Sequence, residues 1–125
     1  MTNRKTVLVV DDHDNSRMTY AMYLEELGYR VFEAPNGAEG VRIARERLPD
    51  VILMDMTMPV VNGLEASRML KGEPETAHIP IIAVTAVSLV REQENIRAVC
   101  DGLLPKPCPP EELWAEIRRV TTAPA

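Results

Sequence analysis

The stretch Val51-Ile52-Leu53-Met54-Asp55 places four apolar residues directly before a carboxylate. An apolar run of this length, bounded by Pro49-Asp50 and Met58-Pro59, predicts a strand that is buried on both faces of a parallel sheet. Such a strand delivers Asp55 to its carboxyl end, where open α/β sheets bind ligands. Taken alone, an aspartate in this position more often forms a turn. The interpretation therefore depends on what the other strands carry.

Three other short apolar runs also lead into polar side chains, and each predicts a buried strand. They are 6–10 before Asp11 and Asp12, 80–84 before Thr85, and 102–105 before Lys106. An alternating segment at 29–33 predicts an edge strand. The chain therefore has five predicted strands, and four of them end in side chains that can bind an ion or an oxyanion.

Apolar residues recur at helical spacing between and after the strands, which predicts five helices. They are predicted from Asp14 or Asn15 to 27, over 38–48, 64–70 and 88–99, and from 109 to 120. We expect Asp14 or Asn15 to cap the first helix and Gly28 to end it. In the first two helices we expect these side chains to face the core: Met18, Ala21, Met22, Leu24, Leu27, Val41, Ala44 and Leu48.

Strands that alternate with helices indicate βαβ units, a parallel sheet and right-handed connections. For five strands, the expected fold is α/β, a flavodoxin-like doubly wound sheet with the strand order 2-1-3-4-5. The 125 residues are close to the commonest domain size. We expect one domain over 1–125, with its core at about 5–121 and a tail at 122–125.

Composition excludes several other classes of protein. The formal net charge of −5 argues against nonspecific nucleic-acid binding, which needs a basic face. No apolar stretch approaches the roughly 18 residues that a membrane span requires, and the apolar run after the basic N-terminus is too short for a signal peptide. Cys100 and Cys108 lack metal-ligand spacing, so we expect free thiols in a reducing cytoplasm.

In the order 2-1-3-4-5 the strands that end in polar residues are neighbours, so these side chains should face one crevice. Three crowded carboxylates raise one another's pKa unless a cation lies among them, and hard oxygen ligands suit Mg²⁺. A lysine and a hydroxyl suit the oxygens of a phosphoryl group. Each residue taken singly is more often a helix cap or a solvated loop residue. Together they predict a pocket for a phosphoryl group on an aspartate.

The same residues resemble the receiver domain of bacterial two-component response regulators. The resemblance covers nearly the whole chain, and its motifs come in order at the family's spacing. The residues that carry it are Val7-Leu8-Val9-Val10-Asp11-Asp12, Asp55-Met56-Thr57-Met58-Pro59 with Gly63, Thr85-Ala86 and Lys106-Pro107.

The resemblance implies that Asp55 is the phosphoacceptor. It would take the phosphoryl group from a phosphohistidine of a histidine kinase or a histidine phosphotransferase. The resemblance also implies an Mg²⁺ ion bound by Asp12 and Asp55, by the backbone carbonyl of Thr57, and by Asp11 mostly through water. The domain would then be a signalling phosphoacceptor and not an enzyme in the usual sense.

The resemblance further implies a conformational switch. Thr85 would hydrogen-bond a phosphate oxygen and move on phosphorylation, Lys106 would pair with the phosphate, and the Lys106–Pro107 peptide would be cis. Three residues before the lysine the family usually has Tyr or Phe, whose ring swings inward with the hydroxyl, but this chain has Leu103. Because leucine has no hydroxyl and less area to expose, we expect a weaker or differently built switch.

In the family, the positions two after the phosphoacceptor and two after the switch hydroxyl flank the path of the water that hydrolyses the phosphate. Here they are Thr57 and Val87. An apolar Val87 cannot orient water, so we expect a long-lived acyl phosphate. A half-life of seconds that Val87→Glu leaves unchanged would contradict this expectation.

The chain ends about five residues after the last predicted helix, so we expect output through contact with an effector protein and not through a further domain. The expected surface is the face of the fourth helix, fifth strand and fifth helix. Its contact candidates are Val90, Ile96, Val99 and Trp114, although most of these are more often core residues.

Two other functions remain open at this point. An Asp-nucleophile phosphatase would need a second acid two residues after Asp55, where Thr57 stands. A receiver-shaped interaction module that is never phosphorylated would not need the complete polar set, which is Asp11, Asp12, Asp55, Thr85 and Lys106. The absence of a Gly-x-Gly-x-x-Gly fingerprint and of a P-loop leaves nucleotide binding without support.

Overall fold

The computed structural model describes residues 5–56, 62–86, 90–106 and 108–121. They form a five-stranded parallel sheet with the strand order β2-β1-β3-β4-β5. The strands are β1 Thr6–Val10, β2 Arg30–Ala34, β3 Val51–Asp55, β4 Ile81–Thr85 and β5 Gly102–Pro105. The helices are α1 Asp14–Glu26, α2 Gly37–Arg47, α3 Gly63–Lys71, α4 Val90–Val99 and α5 Pro110–Thr121. The predicted fold class and strand order are confirmed.

Side chains alternate between the two faces of the central strands, because successive residues of a strand point to opposite sides. On one face, residues such as Leu8, Ile52 and Ile81 pack with α2, α3 and α4. On the other, residues such as Val9, Leu53 and Ile82 pack with α1 and α5. The sheet is therefore covered on both faces, which explains why the central strands are apolar without interruption.

The register brings the polar strand ends to one edge of the sheet. In β1 and β3, Val10 pairs with Met54, so Asp11 and Asp55 follow at the same level. In β3 and β4, Asp55 pairs with Val84, the residue before Thr85. This edge, where β1, β3, β4 and β5 end, is called the carboxyl edge below, and the opposite edge the amino edge.

Helix α1 is the largest departure from the sequence-based expectations. Ala21 and Leu24 are buried as predicted, but Met18, Met22 and Leu27 are exposed, Met22 at 61% of its surface. The inward positions are instead shared by polar and amphipathic side chains, among them Arg17, Tyr20 and Tyr23. Tyrosine packs its ring against the core while its hydroxyl reaches outward, so the apolar methionines do not mark the buried stripe.

Several predicted boundaries and caps are also corrected. Helix α1 begins at Asp14 after His13, which makes no side-chain cap, so the predicted cap at Asp14 or Asn15 is wrong. Leu48, predicted to face inward, is an exposed C-cap in the left-handed conformation at φ 46°. Gly28 follows α1 at φ +98°, as expected for a residue that ends a helix. Strand β2 begins one residue later than predicted.

The candidates for partner contact have mixed positions. Ile96 is buried in the core between the sheet and α4, so it is a core residue and not a contact residue. Val99 and Trp114 are half-buried, and the guanidinium of Arg118 lies 4.9 Å from the centroid of the Trp114 ring. The side chain of Val90 lies outside the described part of the structure.

Candidate functional site

Two carboxylates are buried at the carboxyl edge. The side chains of Asp11 and Asp55 are 3% and 1% exposed, and strand alternation directs both toward the α1 and α5 face. Together with Tyr20 of α1 they line a small cavity between the strands and the helix. Buried carboxylates are rare unless they are paired or bind a cation, so their positive partners have to be identified.

Lys106 supplies a positive charge to both buried carboxylates. Its Nζ lies 3.2 Å from Asp55 Oδ2 and 3.4 Å from Asp11 Oδ2. Burial would lower the pKa of Lys106, but the carboxylates of Asp55 and Asp11 outweigh burial and raise that pKa. The lysine therefore stays charged at neutral pH and occupies one side of each carboxylate.

Asp12 and His13 complete the cluster on its outer side. Asp12 Oδ1 is buried and, among the described residues, accepts no hydrogen bond. His13 Nδ1 lies 3.2 Å from Asp12 Oδ1 and 3.5 Å from Asp11 Oδ1. One donor atom from each of Asp11, Asp12, His13 and Asp55 lies within 4.8 Å of the other three, a grouping that could hold a metal ion. His13 was not among the predicted site residues, although its place directly after two aspartates was an available signal.

Arg17, on the first turns of α1, connects the pocket to its surroundings. Its guanidinium donates to the backbone carbonyl of Asp11 at 2.9 Å and to the carboxylate of Asp14 at 2.7 Å. Its Nε donates to Glu33 of β2 at 3.2 Å. The side chain is only 14% exposed. Arg17 thus fixes the end of β1, where the acidic loop begins, and sequence reasoning missed it because an arginine was not expected on an inward position.

Gly63, the first residue of α3, packs directly on the backbone of the candidate phosphoacceptor. A Cβ at this position would lie 2.0 Å from the carbonyl oxygen of Asp55, closer than any real contact. Only a residue without a side chain permits this approach. The glycine that forms part of the family motif is therefore explained by contact with the strand that carries Asp55.

Thr85 and Leu103 lie on the other face of the sheet. Thr85 is buried, and its backbone carbonyl accepts the Lys106 N–H at 2.9 Å. Leu103 is half-buried and packs against the core between the sheet and α4. By strand alternation both side chains point to the face of α2, α3 and α4, whereas Asp11 and Asp55 point to the opposite face. Thr57, Val87 and Pro107, and with them the predicted carbonyl ligand, water path and cis peptide, lie outside the described residues.

The model of the response regulator receiver domain family matches residues 7–118, which include all of the sheet except Thr6 and all of the acidic pocket. The chain belongs to this family. Receiver domains are signalling modules of two-component systems and not classical enzymes, so membership gives this receiver domain the general role of a phosphoacceptor that works with a histidine kinase and an effector.

Relatives and solved structures agree with this assignment. The receiver domain is 39% identical over 104 residues to the polar-differentiation response regulator DivK of Brucella anthropi, covering 82% of this chain and 85% of the relative. It is similar to the Vibrio cholerae chemotaxis protein CheY4, with a TM-score of 0.89 and 31% identity over 94% of this chain and 99% of that one.

A third similar structure is informative about the acidic pocket. The receiver domain of the sensor histidine kinase PA1611 from Pseudomonas aeruginosa has a TM-score of 0.89 and 31% identity, over 97% of this chain and all of that chain. It was solved with a magnesium ion coordinated in its active-site cleft.

Among the described residues of the present chain, no helix combines the length and apolar composition needed to cross a bilayer.

Proposed function

We propose that this receiver domain accepts a phosphoryl group onto Asp55 from a phosphohistidine of a histidine kinase or a histidine phosphotransferase. The observation that carries the proposal is a buried carboxylate at the end of the central strand, with Lys106 Nζ 3.2 Å from its Oδ2. The lysine places a positive charge beside the carboxylate that would act as the nucleophile, and the neighbouring Asp11 and Asp12 supply the donors for a cation.

In the proposed reaction a carboxylate oxygen of Asp55 attacks the phosphorus of the phosphohistidine. The bond between phosphorus and the imidazole nitrogen breaks, its electron pair stays on the imidazole, and the product is an acyl phosphate. Lys106 exchanges its contact with the Asp55 carboxylate for one with a phosphate oxygen, a charge-assisted bond of the stronger kind. Because phosphoryl transfer has little covalent chemistry for the protein to perform, positioning and charge stabilisation are its main contributions.

The donor set fits Mg²⁺. Asp11, Asp12 and Asp55 offer hard oxygen ligands, and Asp12 Oδ1 is buried without a hydrogen-bond partner among the described residues. The backbone carbonyl of Thr57 is the further proposed ligand. When bound, the ion would neutralise negative charge on the phosphoryl oxygens and on the carboxylates.

We propose Thr85 and Leu103 as the switch. The acyl phosphate adds roughly −1.5 to −2 charges at pH 7, and the Thr85 hydroxyl would move to hydrogen-bond one of the new oxygens. Leu103 shares the α4 face with Thr85 and is half-buried, so it can pack into space that Thr85 vacates. The change would shift the population of two states, and an effector that binds one of them better would read it.

The proposed effector surface is formed by α4, β5 and α5. The proposed protein is a single receiver domain over 1–125, with its core at about 5–121. It would act in the cytoplasm and would bind neither nucleic acid nor a membrane. The output is then a protein–protein contact that depends on the phosphorylation of Asp55.

The test is the intact mass of the protein after incubation with acetyl phosphate and Mg²⁺. We expect one added phosphate in the parent and in Asp14→Asn, a control at an exposed aspartate close to the pocket, and none in Asp55→Asn or without Mg²⁺. If the folded parent gains no phosphate, the proposal is wrong and a receiver-shaped interaction module without phosphorylation becomes the better description.

A further inference from the structure

His13 adds a nitrogen donor to a pocket that otherwise offers oxygen. Its Nδ1 is turned to the acidic side, 3.2 Å from Asp12 Oδ1 and 3.5 Å from Asp11 Oδ1. The His13 backbone N–H also donates to Asp11 Oδ1 at 2.9 Å. The backbone of His13 is thus held beside the Asp11 carboxylate, and the imidazole, whose side chain is 66% exposed, reaches the acidic side from there.

These separations suit two ligands of one cation. Ligands in adjacent positions of an octahedral site, each about 2.1 Å from the ion, lie roughly 3.0 Å apart, and those of a tetrahedral site lie roughly 3.4 Å apart. The distances from Nδ1 to the two carboxylate oxygens are close to both values. A divalent ion placed between these atoms could therefore bind all three without a large movement of the loop.

The charge on the inner side of the pocket leaves this outer side to a metal ion. Lys106 approaches Oδ2 of Asp11 and Oδ2 of Asp55. His13 approaches Oδ1 of Asp11, and Oδ1 of Asp12 is buried without a hydrogen-bond partner among the described residues. The lysine and a metal ion therefore have different oxygens of Asp11 available.

We propose that His13 is a further metal ligand, through Nδ1, and that the pocket binds Mn²⁺ in preference to Mg²⁺ because of it. The inference rests on the proposed function, in which the pocket holds a divalent cation. Imidazole nitrogen binds first-row transition metals well, whereas Mg²⁺ prefers oxygen ligands and keeps its waters. A mixed set of nitrogen and carboxylate donors therefore favours the softer ion. The outer position of His13 keeps the side facing Lys106 open for a phosphoryl group.

The chain offers a matched control, because it contains two histidines and the other, His78, lies on the exposed connector before β4. The untagged parent, His13→Ala and His78→Ala would be titrated with Mn²⁺ and with Mg²⁺ at about pH 8, where an ordinary imidazole is neutral. Free Mn²⁺ is measured by electron paramagnetic resonance. Electron spin echo modulation from an imidazole ¹⁴N then reports whether a histidine is bound to the ion.

We expect His13→Ala to weaken Mn²⁺ binding about tenfold, to change Mg²⁺ binding by less than about twofold, and to abolish the ¹⁴N modulation. His78→Ala should match the parent in all three measurements. Equal effects of His13→Ala on both ions, unchanged Mn²⁺ binding, or a ¹⁴N signal that persists in His13→Ala would each overturn the inference, since His13 would then only pair with the aspartates electrostatically.

The outcome is separable from that of the proposed function. The parent and His78→Ala are also incubated with acetyl phosphate and Mg²⁺, and both should gain one phosphate by intact mass. If they are phosphorylated but the metal titrations do not distinguish His13→Ala from the parent, only the role of His13 fails. If the parent neither gains phosphate nor binds either ion, the proposed function fails as well.

Discussion

The two edges of the sheet use aspartate in opposite ways. At the amino edge, Asp50 and Asp101 each close the start of a neighbouring strand. The Thr6 N–H donates to Asp50 Oδ2 at 2.7 Å while the Asp50 N–H donates back to the Thr6 carbonyl at 3.0 Å. Asp101 makes the same exchange with Ile81, at 2.8 Å in both directions. Lys71 Nζ also donates to the Asp101 carboxylate at 2.8 Å.

At the carboxyl edge the aspartates face one another. Asp11 and Asp55 are more deeply buried than the acids of the amino edge, and Lys106 Nζ lies within 3.4 Å of a carboxylate oxygen of each. Asp12 has a buried oxygen that accepts no hydrogen bond from the described residues. Burying like charges together costs free energy unless a cation or a ligand compensates.

The aspartates at the two edges therefore have different roles. At the amino edge each carboxylate accepts a hydrogen bond from the backbone N–H of a strand residue, Thr6 or Ile81, so these acids contribute to the stability of the fold. At the carboxyl edge Asp12 Oδ1 is buried without a hydrogen bond from the described residues, so this oxygen can still bind a ligand. We expect substitutions at one edge to change the free energy of unfolding, and those at the other to change binding and phosphorylation.

The largest effect on stability is expected for Asp101→Ala. The variant loses the side-chain acceptor of the Ile81 N–H and one of the acceptors of Lys71. Hydrogen bonds to charged groups contribute about 1.5–3 kcal/mol each before relaxation. We expect the free energy of unfolding to fall by about 2 kcal/mol in urea at neutral pH. Asp14→Ala, which removes one exposed ion pair, should change it by less than about 0.5 kcal/mol.

Phosphorylation supplies the second measurement on Asp101→Ala. Under conditions where the variant is folded, its phosphate incorporation per molecule should equal that of the parent. A folded Asp101→Ala protein that fails to take up phosphate would break the separation between the two edges.

Asp12→Asn should show the reverse behaviour, with a smaller effect. Without metal its stability should lie within about 0.5 kcal/mol of the parent, because no hydrogen bond to Oδ1 is lost and repulsion is reduced. A ligand at ten times its Kd stabilises the folded state by about 1.4 kcal/mol. The parent should show this gain with Mg²⁺ in urea denaturation, and Asp12→Asn should not. Asp50→Asn should keep the gain, and its loss there would contradict the assignment of metal binding to the carboxyl edge.

The smallest expected effect concerns the two cysteine thiols. Cys100 precedes β5, near the amino edge, and Cys108 follows β5, near the carboxyl edge. Burial, and then the nearby Glu112, raise the pKa of Cys108 from 9.0 to about 11, and burial raises the pKa of Cys100. The folded state thus favours the neutral thiol. The contribution of the neutral Cys108 thiol to the free energy of unfolding is complete below pH 9 and is lost as the pH rises toward 11.

We expect Cys108→Ala to flatten the alkaline decline of the free energy of unfolding by less than about 1 kcal/mol between pH 8 and 11. Cys100→Ala should flatten it less. Urea denaturation across this pH range measures both, and an unchanged slope in Cys108→Ala would show that its thiol does not contribute to the difference.

The central strands were predictable because each is an uninterrupted apolar run that leads into a polar residue. Val51–Asp55 has no polar residue before Asp55, so its burial and its end follow from the apolar run. The edge strand β2 was displaced by one residue, because an alternating segment shows a period and not its first hydrogen bond. Leu48 was misplaced because its left-handed conformation, which takes the side chain out of the helix face, is not encoded by periodicity.

Helix α1 shows what periodicity cannot distinguish. Met18 and Met22 are as apolar as any core residue, yet the position of Arg17 against the backbone of Asp11 fixes the rotation of the helix and leaves the methionines outside. His13 was missed for a related reason. A histidine after two aspartates has no required direction, and only the tertiary structure places its Nδ1 3.2 Å from Asp12 Oδ1.

The alternation of strands and helices, the strand order, and the acids and the lysine that end the strands were predictable from the sequence, because burial and turn chemistry act locally and leave a residue pattern. The contacts of the individual oxygens depend on the tertiary structure, in which Lys106 meets Oδ2 of Asp11 and of Asp55 while His13 faces Oδ1 of Asp11 and of Asp12. Those contacts join residues up to 95 positions apart in the chain, and their distances depend on how the sheet twists and how α1 packs on it.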